Sequence, residues 1–199
     1  QISNFTDKLK LNVGEELQID EMQYNRRKNH FKKGVDRNWF IDAIDTKTRF
    51  MVSSEFVRNR DLKEVKQVIK NAKNKTEKQI EIITSDGLLA YPNAIKKVYG
   101  FSNKTHKVNV NHNIITASRG EGFNIMIERL HNNIRQRTKT FRGFHGSVES
   151  ANIIMKGLEI YYNFITKHQT LKRCPYELAT DLKLNNENKW LELIQLSKS

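Results

Sequence analysis

The stretch GFNIMIERLHNNIRQRTKTFRGF at positions 122–144 limits the folds open to this chain more than any other. At about 100° of rotation per residue, Phe123, Ile127, Leu130 and Ile134 form a narrow apolar stripe, the pattern of a helix laid on a core. The same rotation gathers Asn124, Glu128, His131 and Arg135 on one flank, with Lys139 a turn further on. A single carboxylate is thereby held among cations. On its own, Glu128 reads as a solvated helix residue paired with a neighbouring cation. Anything more has to come from the rest of the chain.

Around this helix, strands and helices alternate. EELQIDEMQY at 15–24 has the period of a half-buried strand, with Leu17 and Ile19 on one face and Gln18, Asp20 and Met22 on the other. After a basic loop holding Arg26, Arg27, Lys28, Lys32 and Lys33, β-rich runs at 38–45 and 49–57 are joined through Thr46, Lys47 and Thr48 as a hairpin. Leu62, Val65, Ile69 and Ala72 predict a helix over 61–73, N-capped by Asn59 or Asp61, with Lys63, Lys66, Lys70 and Lys73 on its outside as a solvated face or a DNA contact. QIEIITS at 79–85 is a short strand ending at Asp86 and Gly87, where glycine allows a sharp turn into a helix over 89–99.

Further along, the pattern predicts a last strand at 105–110, a polar loop over 111–122 ending in Gly120 and Gly122, and a Gly-rich turn at 141–146. A long amphipathic helix over 148–167 is expected on Ala151, Ile154, Leu158, Tyr161 and Ile165, and a short terminal helix on Trp190, Leu191 and Ile194. This order predicts an α/β fold with a mixed sheet flanked by helices. If the strand at 15–24 and the strand ending at Asp86 are parallel neighbours, Asp20 and Asp86 stand side by side. Glu128, on a helix packed above, then reaches both.

Charge indicates what such a trio serves. Lys and Arg number 35 against 22 Asp and Glu, a formal net charge of +13. With a sequence pI near 9.8, a polyanionic partner is expected, nucleic acid ahead of an acidic membrane surface. No run approaches the roughly 18 apolar residues of a membrane span, and the first residues lack the apolar run of a signal peptide, so a soluble intracellular protein is expected. Cys174 is the only cysteine, which excludes a disulfide within the chain and all but excludes Cys-based zinc. It reads as a small, partly buried thiol.

Hard divalent cations prefer carboxylate oxygens. Two such ions about 3.5–4 Å apart activate an attacking oxygen and steady the leaving one at phosphorus. Arg129, Arg135, Arg137 and Lys139, with His131 among them, suit a phosphate backbone. Asp36, Asp42, Asp45 and Asp61 compete for the carboxylate roles, so residue types alone leave the assignment open.

Other features have plainer readings. Asp45 and Asp61 suit a loop organiser and a helix cap. His131 either steers a phosphate or makes a hydrogen bond on its helix. His30, His106, His112, His145 and His168 lack metal-ligand spacing. Tyr161 and Tyr162 have no Arg/His constellation beside them and read as core or interface aromatics, and Trp39 reads as core.

The segments IDEMQY, WFIDAIDTKTRFMVSSEFVRNRD, IITSDGLLAYPNAI, NIMIERLHNNIRQRTKTFRGF and YYNFITKHQTL are similar to the catalytic domain of DDE insertion-sequence transposases, within the retroviral-integrase superfamily and nearest the group labelled IS-six. The resemblance spans 15–178, and IERLHNNIRQRTKTFRGF is its most specific part. It implies an RNase H-like domain over 15–178: a mixed five-stranded sheet flanked by helices, with a C-terminal helical extension. Residues 1–14 then form a truncated lead-in and 179–199 a basic tail.

The resemblance carries the catalytic and metal-binding triad onto Asp20, Asp86 and Glu128, with two Mg²⁺ or Mn²⁺ ions as cofactor. Arg135 matches the basic residue that follows the family's Glu by two turns. The implied activity is that of a DNA transposase core, a metal-dependent polynucleotidyl transferase that hydrolyses 3′ ends and transfers strands of transposon DNA into target DNA. Its implied partners are transposon ends and target DNA, bound by a homodimer or larger assembly at the nucleoid of a prokaryotic cytoplasm, with no membrane. A catalytically silent DNA-binding remnant and an RNase H-like nuclease are the alternatives. The interval from Asp86 to Glu128 is longer than the family's, which the 111–122 loop accounts for. The helix-turn-helix or zinc-ribbon element that precedes the domain in the family is absent, so the chain is expected to be a fragment.

Overall fold

In a computed structural model of the chain, residues 1–24, 38–77, 79–115, 124–141 and 147–198 are described. Outside them lie the basic loop with Arg26, Arg27, Lys28, Lys32 and Lys33, together with His30, Asp36, Gly120, Gly122, Phe123, His145 and most of the Gly-rich turn. From the N-terminus, α1 (Ile2–Thr6) leads to β1 (Glu16–Tyr24), β2 (Asn38–Asp45), β3 (Met51–Val57), α2 (Leu62–Thr76), β4 (Ile82–Ser85) and α3 (Ala90–Tyr99). Next come β5 (Phe101–Ser102), β6 (Lys107–Val108), β7 (Asn111–Ile114) and α4 (Ile125–Thr138), which a 3₁₀ turn, Lys139–Phe141, extends. α5 (Val148–Ile160) runs into a π-helical turn, Tyr161–Ile165, and α6 (Tyr176–Ala179) and α7 (Lys189–Leu196) follow.

Five strands form the main sheet in the order β3-β2-β1-β4-β7. β1 is central, antiparallel to β2 and parallel to β4. Its alternation separates two cores. Leu17 and Ile19 join Ile41 and Ala43 of β2 against Val65, Val68 and Ile69 of α2 and Tyr91, Ala94 and Ile95 of α3. On the opposite face Met22, Phe40, Ile44 and Phe56 pack against Ile127, Leu130 and Ile134 of α4 and Ala151 and Met155 of α5. The apolar stripe of α4 is thus the one read from its sequence, apart from Phe123, which lies outside the described residues. Leu11 and Val13, and Leu193 of α7, are buried in the first core. No helix among the described residues is long and apolar enough to cross a membrane.

The last strand differs from expectation. Among the described residues Lys107–Val108 pairs only with Phe101–Ser102, in a separate two-stranded ribbon, and the fifth strand of the sheet is Asn111–Ile114, parallel to β4. Residues 111–114 read as loop because the strand is an exposed edge. With no face to bury, NHNI carries no apolar alternation, and the backbone ladder from Ile82↔Asn111 to Ser85↔Ile114 holds it instead.

α5 and the π-helical turn that continues it are oriented by two asparagines, one in each. Asn152 accepts from the Phe56 amide at 2.7 Å and donates to its carbonyl at 3.0 Å. Asn163, fully buried, does the same to Met51 at 2.8 and 2.9 Å. Each amide side chain imitates a neighbouring strand along the outer edge of β3. This orientation leaves Ile154, expected in the buried stripe, 39% exposed and buries Met155 instead. Asn163→Leu orphans two buried backbone groups at about 1–3 kcal/mol each. We expect it to lower the thermal midpoint by roughly 10 °C, measured by circular dichroism melting.

Candidate active site

The parallel pairing of β1 with β4 ends at Gln18↔Thr84. Two residues further on, the same register sets Asp20 beside Asp86, the first residue past β4. Carboxylate oxygens of Asp20, Glu21 and Asp86 all lie within 4.8 Å of one another. Asp86 Oδ1 accepts from the Leu88 amide at 2.9 Å, which turns the chain through Gly87 toward α3. Asp20 Oδ1 accepts from the Glu21 amide at 2.8 Å. One oxygen of each aspartate is therefore committed to backbone.

Glu21 was not anticipated. It points from the opposite face of β1 and is braced there, accepting from the Tyr91 hydroxyl at 2.8 Å and from the Arg60 guanidinium. The signal available in the sequence is the Asp20-Glu21 dipeptide itself. Where pairing with β4 stops, consecutive carboxylates reach the same opening from both faces.

A second set of groups lies beneath α4. Asp42 of β2 is directly across the ladder from Asp20 and is fully buried. His131 spans the two carboxylates, with Nε2 3.1 Å from Asp42 Oδ2 and Nδ1 3.8 Å from Asp20 Oδ2. At 3% exposed, this histidine faces the carboxylates and not the surface where a DNA contact was expected. Its position follows from the flank it shares with Glu128. Burial pushes the Asp20 pKa up to about 6, opposed by His131 and the Glu21 amide and reinforced by the charges of Glu21 and Asp86.

The strand that carries Asp20 also seats the helix. Gln18, two residues earlier on the same face, accepts with Oε1 from the amides of Met126 and Ile127 at 3.0 and 3.3 Å. Asn124, at the N-cap, makes no side-chain cap bond, so β1 supplies the cap of α4. Glu128 follows within the first turn, exposed. Among the described residues, its carboxylate is not part of the 4.8 Å cluster.

The expected DNA-contacting cations fall on different sides. Arg135 is exposed on the flank of Glu128, and Lys139 is exposed in the 3₁₀ turn. Arg137 lies over the Tyr161 ring at 4.3 Å. Arg129 lines a cleft on the other flank of α4. Asp45 and Asp61 have the plainer roles. Asp45 accepts from the Gly14 amide at 2.9 Å and the Thr48 amide at 2.7 Å, and Asp61 caps α2 through the Lys63 and Glu64 amides.

An all-carboxylate cluster whose central member is disfavoured as an anion by burial and by its neighbours' charge has the donor chemistry for a hard divalent cation. The residues present fit such an ion.

Comparison with known proteins adds three findings. The family model DDE_Tnp_IS240, described as a DDE domain, matches residues 33–169. No curated protein matches the chain. Among solved structures, the fold is similar to that of the HTLV-2 integrase catalytic core domain in complex with magnesium, in its dimeric form, with a TM-score of 0.51 and 13% identity over 85% of this chain and 97% of that one. The simian T-cell lymphotropic virus intasome in complex with PP2A regulatory subunit B56 gamma gives a TM-score of 0.49 and 11% identity, over 91% of this chain and 62% of that one.

Proposed function

This chain belongs to the DDE_Tnp_IS240 family of DDE-domain transposases, and on that premise we propose that it is the catalytic core of a metal-dependent polynucleotidyl transferase acting in DNA transposition. The observation that supports this most strongly is the β1–β4 register, which brings Asp20 and Asp86 together below the helix carrying Glu128.

In this reading Asp20, Asp86 and Glu128 would hold two Mg²⁺ or Mn²⁺ ions, with Glu21, which shares the 4.8 Å cluster with the two aspartates, as a further carboxylate. Bound divalent cations supply Lewis acidity to the attacking and leaving oxygens at phosphorus. Gln18 and the core stripe of α4 fix the helix, so His131 keeps its place against Asp20 and Asp42, and Glu128 is held in the first turn of the same helix. His131, anchored on buried Asp42, limits how the free oxygen of Asp20 can turn. Arg135 and Lys139, exposed beyond Glu128, hold the DNA backbone next to the carboxylates. Water attacks the phosphodiester at the transposon end and releases a 3′-hydroxyl. That hydroxyl then attacks a target phosphodiester, forming one P–O bond as another breaks, with no covalent protein intermediate. The similar HTLV-2 core is described in a dimeric form, and a dimer or larger assembly on two DNA ends is part of this proposal.

The test is transfer of a labelled, pre-nicked end of the chain's own element into plasmid, with Mn²⁺, Mg²⁺ or EDTA, by wild type and Asp86→Asn. Joined products are expected with metal only, reduced by Asp86→Asn by two or more orders of magnitude, the scale of about 3 kcal/mol or more of lost charge stabilisation. Cut but unjoined DNA assigns a nuclease, and DNA binding with neither product assigns a remnant. Either outcome overturns the proposal.

A further inference from the structure

The function proposed above uses one flank of α4. Arg129 is about 100° around the helix from Glu128 and about 160° from His131, so it faces elsewhere. There α4 walls a cleft of about 550 Å³ against the β2–β3 turn, the π-helical turn and the loop after it. Arg49, Arg129, Lys167 and His168 line this cleft, with Tyr162 and Thr166, and among the described residues no carboxylate does.

Arg49 is held in the cleft at a conformational cost. It has φ 62°, in the left-handed region that favours glycine, and its amide closes the hairpin turn on the Asp45 carbonyl at 3.0 Å. Its guanidinium donates to the Thr46 carbonyl, which restricts where the charge can go. Burial lowers its pKa, and Arg129 adds to the effect, against Tyr162 and Asp45.

The other groups are donors too. His168 is lowered by burial and then by Arg49 and Arg129, and its Nδ1 accepts from the Thr170 and Leu171 amides at 3.2 and 3.4 Å. The ring proton is thereby placed on Nε2, as a donor. Burial holds the Tyr162 hydroxyl protonated, far above its ordinary range. Thr166 Oγ1 is buried and has no partner among the described residues.

Mutually repelling cations and protonated hydroxyls, drawn from separate segments with no carboxylate among the described lining residues, match a ligand that repeats its negative charge. We propose that this cleft is a second DNA site, which takes the phosphodiester backbone of a duplex on the flank of α4 opposite the carboxylates. The choice of DNA as ligand rests on the function proposed above, whereas the place rests on the cleft itself.

The experiment measures binding of a fluorescent generic duplex across a salt series, in EDTA, so that metal-dependent contacts make no contribution. Arg49→Gly with Arg129→Gln is compared with wild type and with Lys8→Gln/Lys10→Gln, which removes two exposed cations before β1 that do not line the cleft. Each lost phosphate contact lowers the slope of log affinity against log salt by about 0.9, so the cleft pair is expected to lower it by about 1.8 and the Lys8/Lys10 pair to change it little. Arg49→Gly alone is expected to keep or raise the thermal midpoint, since glycine takes this backbone without strain; a purely structural arginine behaves oppositely. Equal slopes for the cleft pair and wild type, or for the two double variants, overturn the proposal. If wild type fails to transfer strands while cleft-dependent binding persists, the catalytic reading falls and this site stands.

Discussion

Glu128→Gln is expected to lower strand transfer by roughly two to three orders of magnitude, the several kcal/mol that a metal-held charge contributes, while leaving the thermal midpoint unchanged. Glu128 is exposed, and among the described residues no hydrogen bond uses its carboxylate. Losing its charge therefore removes little from the fold. Glu21→Gln is expected to behave in the opposite sense. The Glu21 side chain is 2% exposed and takes both Arg60 and Tyr91, so its replacement costs about 1–3 kcal/mol of stability with a smaller loss of activity. Calorimetric Mn²⁺ binding to both variants, beside strand transfer and melting, separates the two roles. If Glu21→Gln abolishes Mn²⁺ binding and Glu128→Gln leaves it intact, the third ligand is Glu21 and the helix has a different task.

What the sequence made legible depended on burial. The mixed sheet flanked by helices was readable because both faces of β1 and one stripe of α4 are covered, and burial writes a period into the residues; its RNase H-like form with five strands was what the family resemblance implied, and the sheet has it. The parallel adjacency of β1 and β4 was one arrangement that the order of elements allowed, through a crossover; the structure adopts it, and it brings Asp20 to Asp86. β7 was not legible, since an exposed edge strand held by backbone hydrogen bonds imposes no side-chain pattern. The same holds for Gln18 and Asn163, whose side chains serve backbone groups far away in sequence. Periodicity placed His131 beside Glu128 but could not tell an inward-facing flank from a wet one. That distinction needed Asp42, which only the β1–β2 register brings beneath it.

Asp20→Asn is expected to stabilise the metal-free chain at neutral pH even as it abolishes strand transfer. The Asp20 pKa rises on folding from 3.8 to about 6, chiefly through burial. A carboxyl raised in this way favours the folded state fully below pH 3.8, and that contribution is lost as pH climbs through 6. At 1.36 kcal/mol per pH unit, the ionised group costs the folded chain about 3 kcal/mol at pH 7, or roughly 6–12 °C in thermal midpoint. Melting in EDTA from pH 4 to 7.5 is therefore expected to show wild type falling relative to Asp20→Asn, with the gap opening between pH 4 and 6.5. Saturating Mn²⁺ should close the gap at pH 7 and do far less at pH 5, where the proton competes for the same oxygens. Parallel profiles for the two proteins in EDTA would mean that the charge is already relieved within the fold. A gap that metal closes would mean that the bound cation, rather than any group of the chain, makes ionised Asp20 favourable in the folded state.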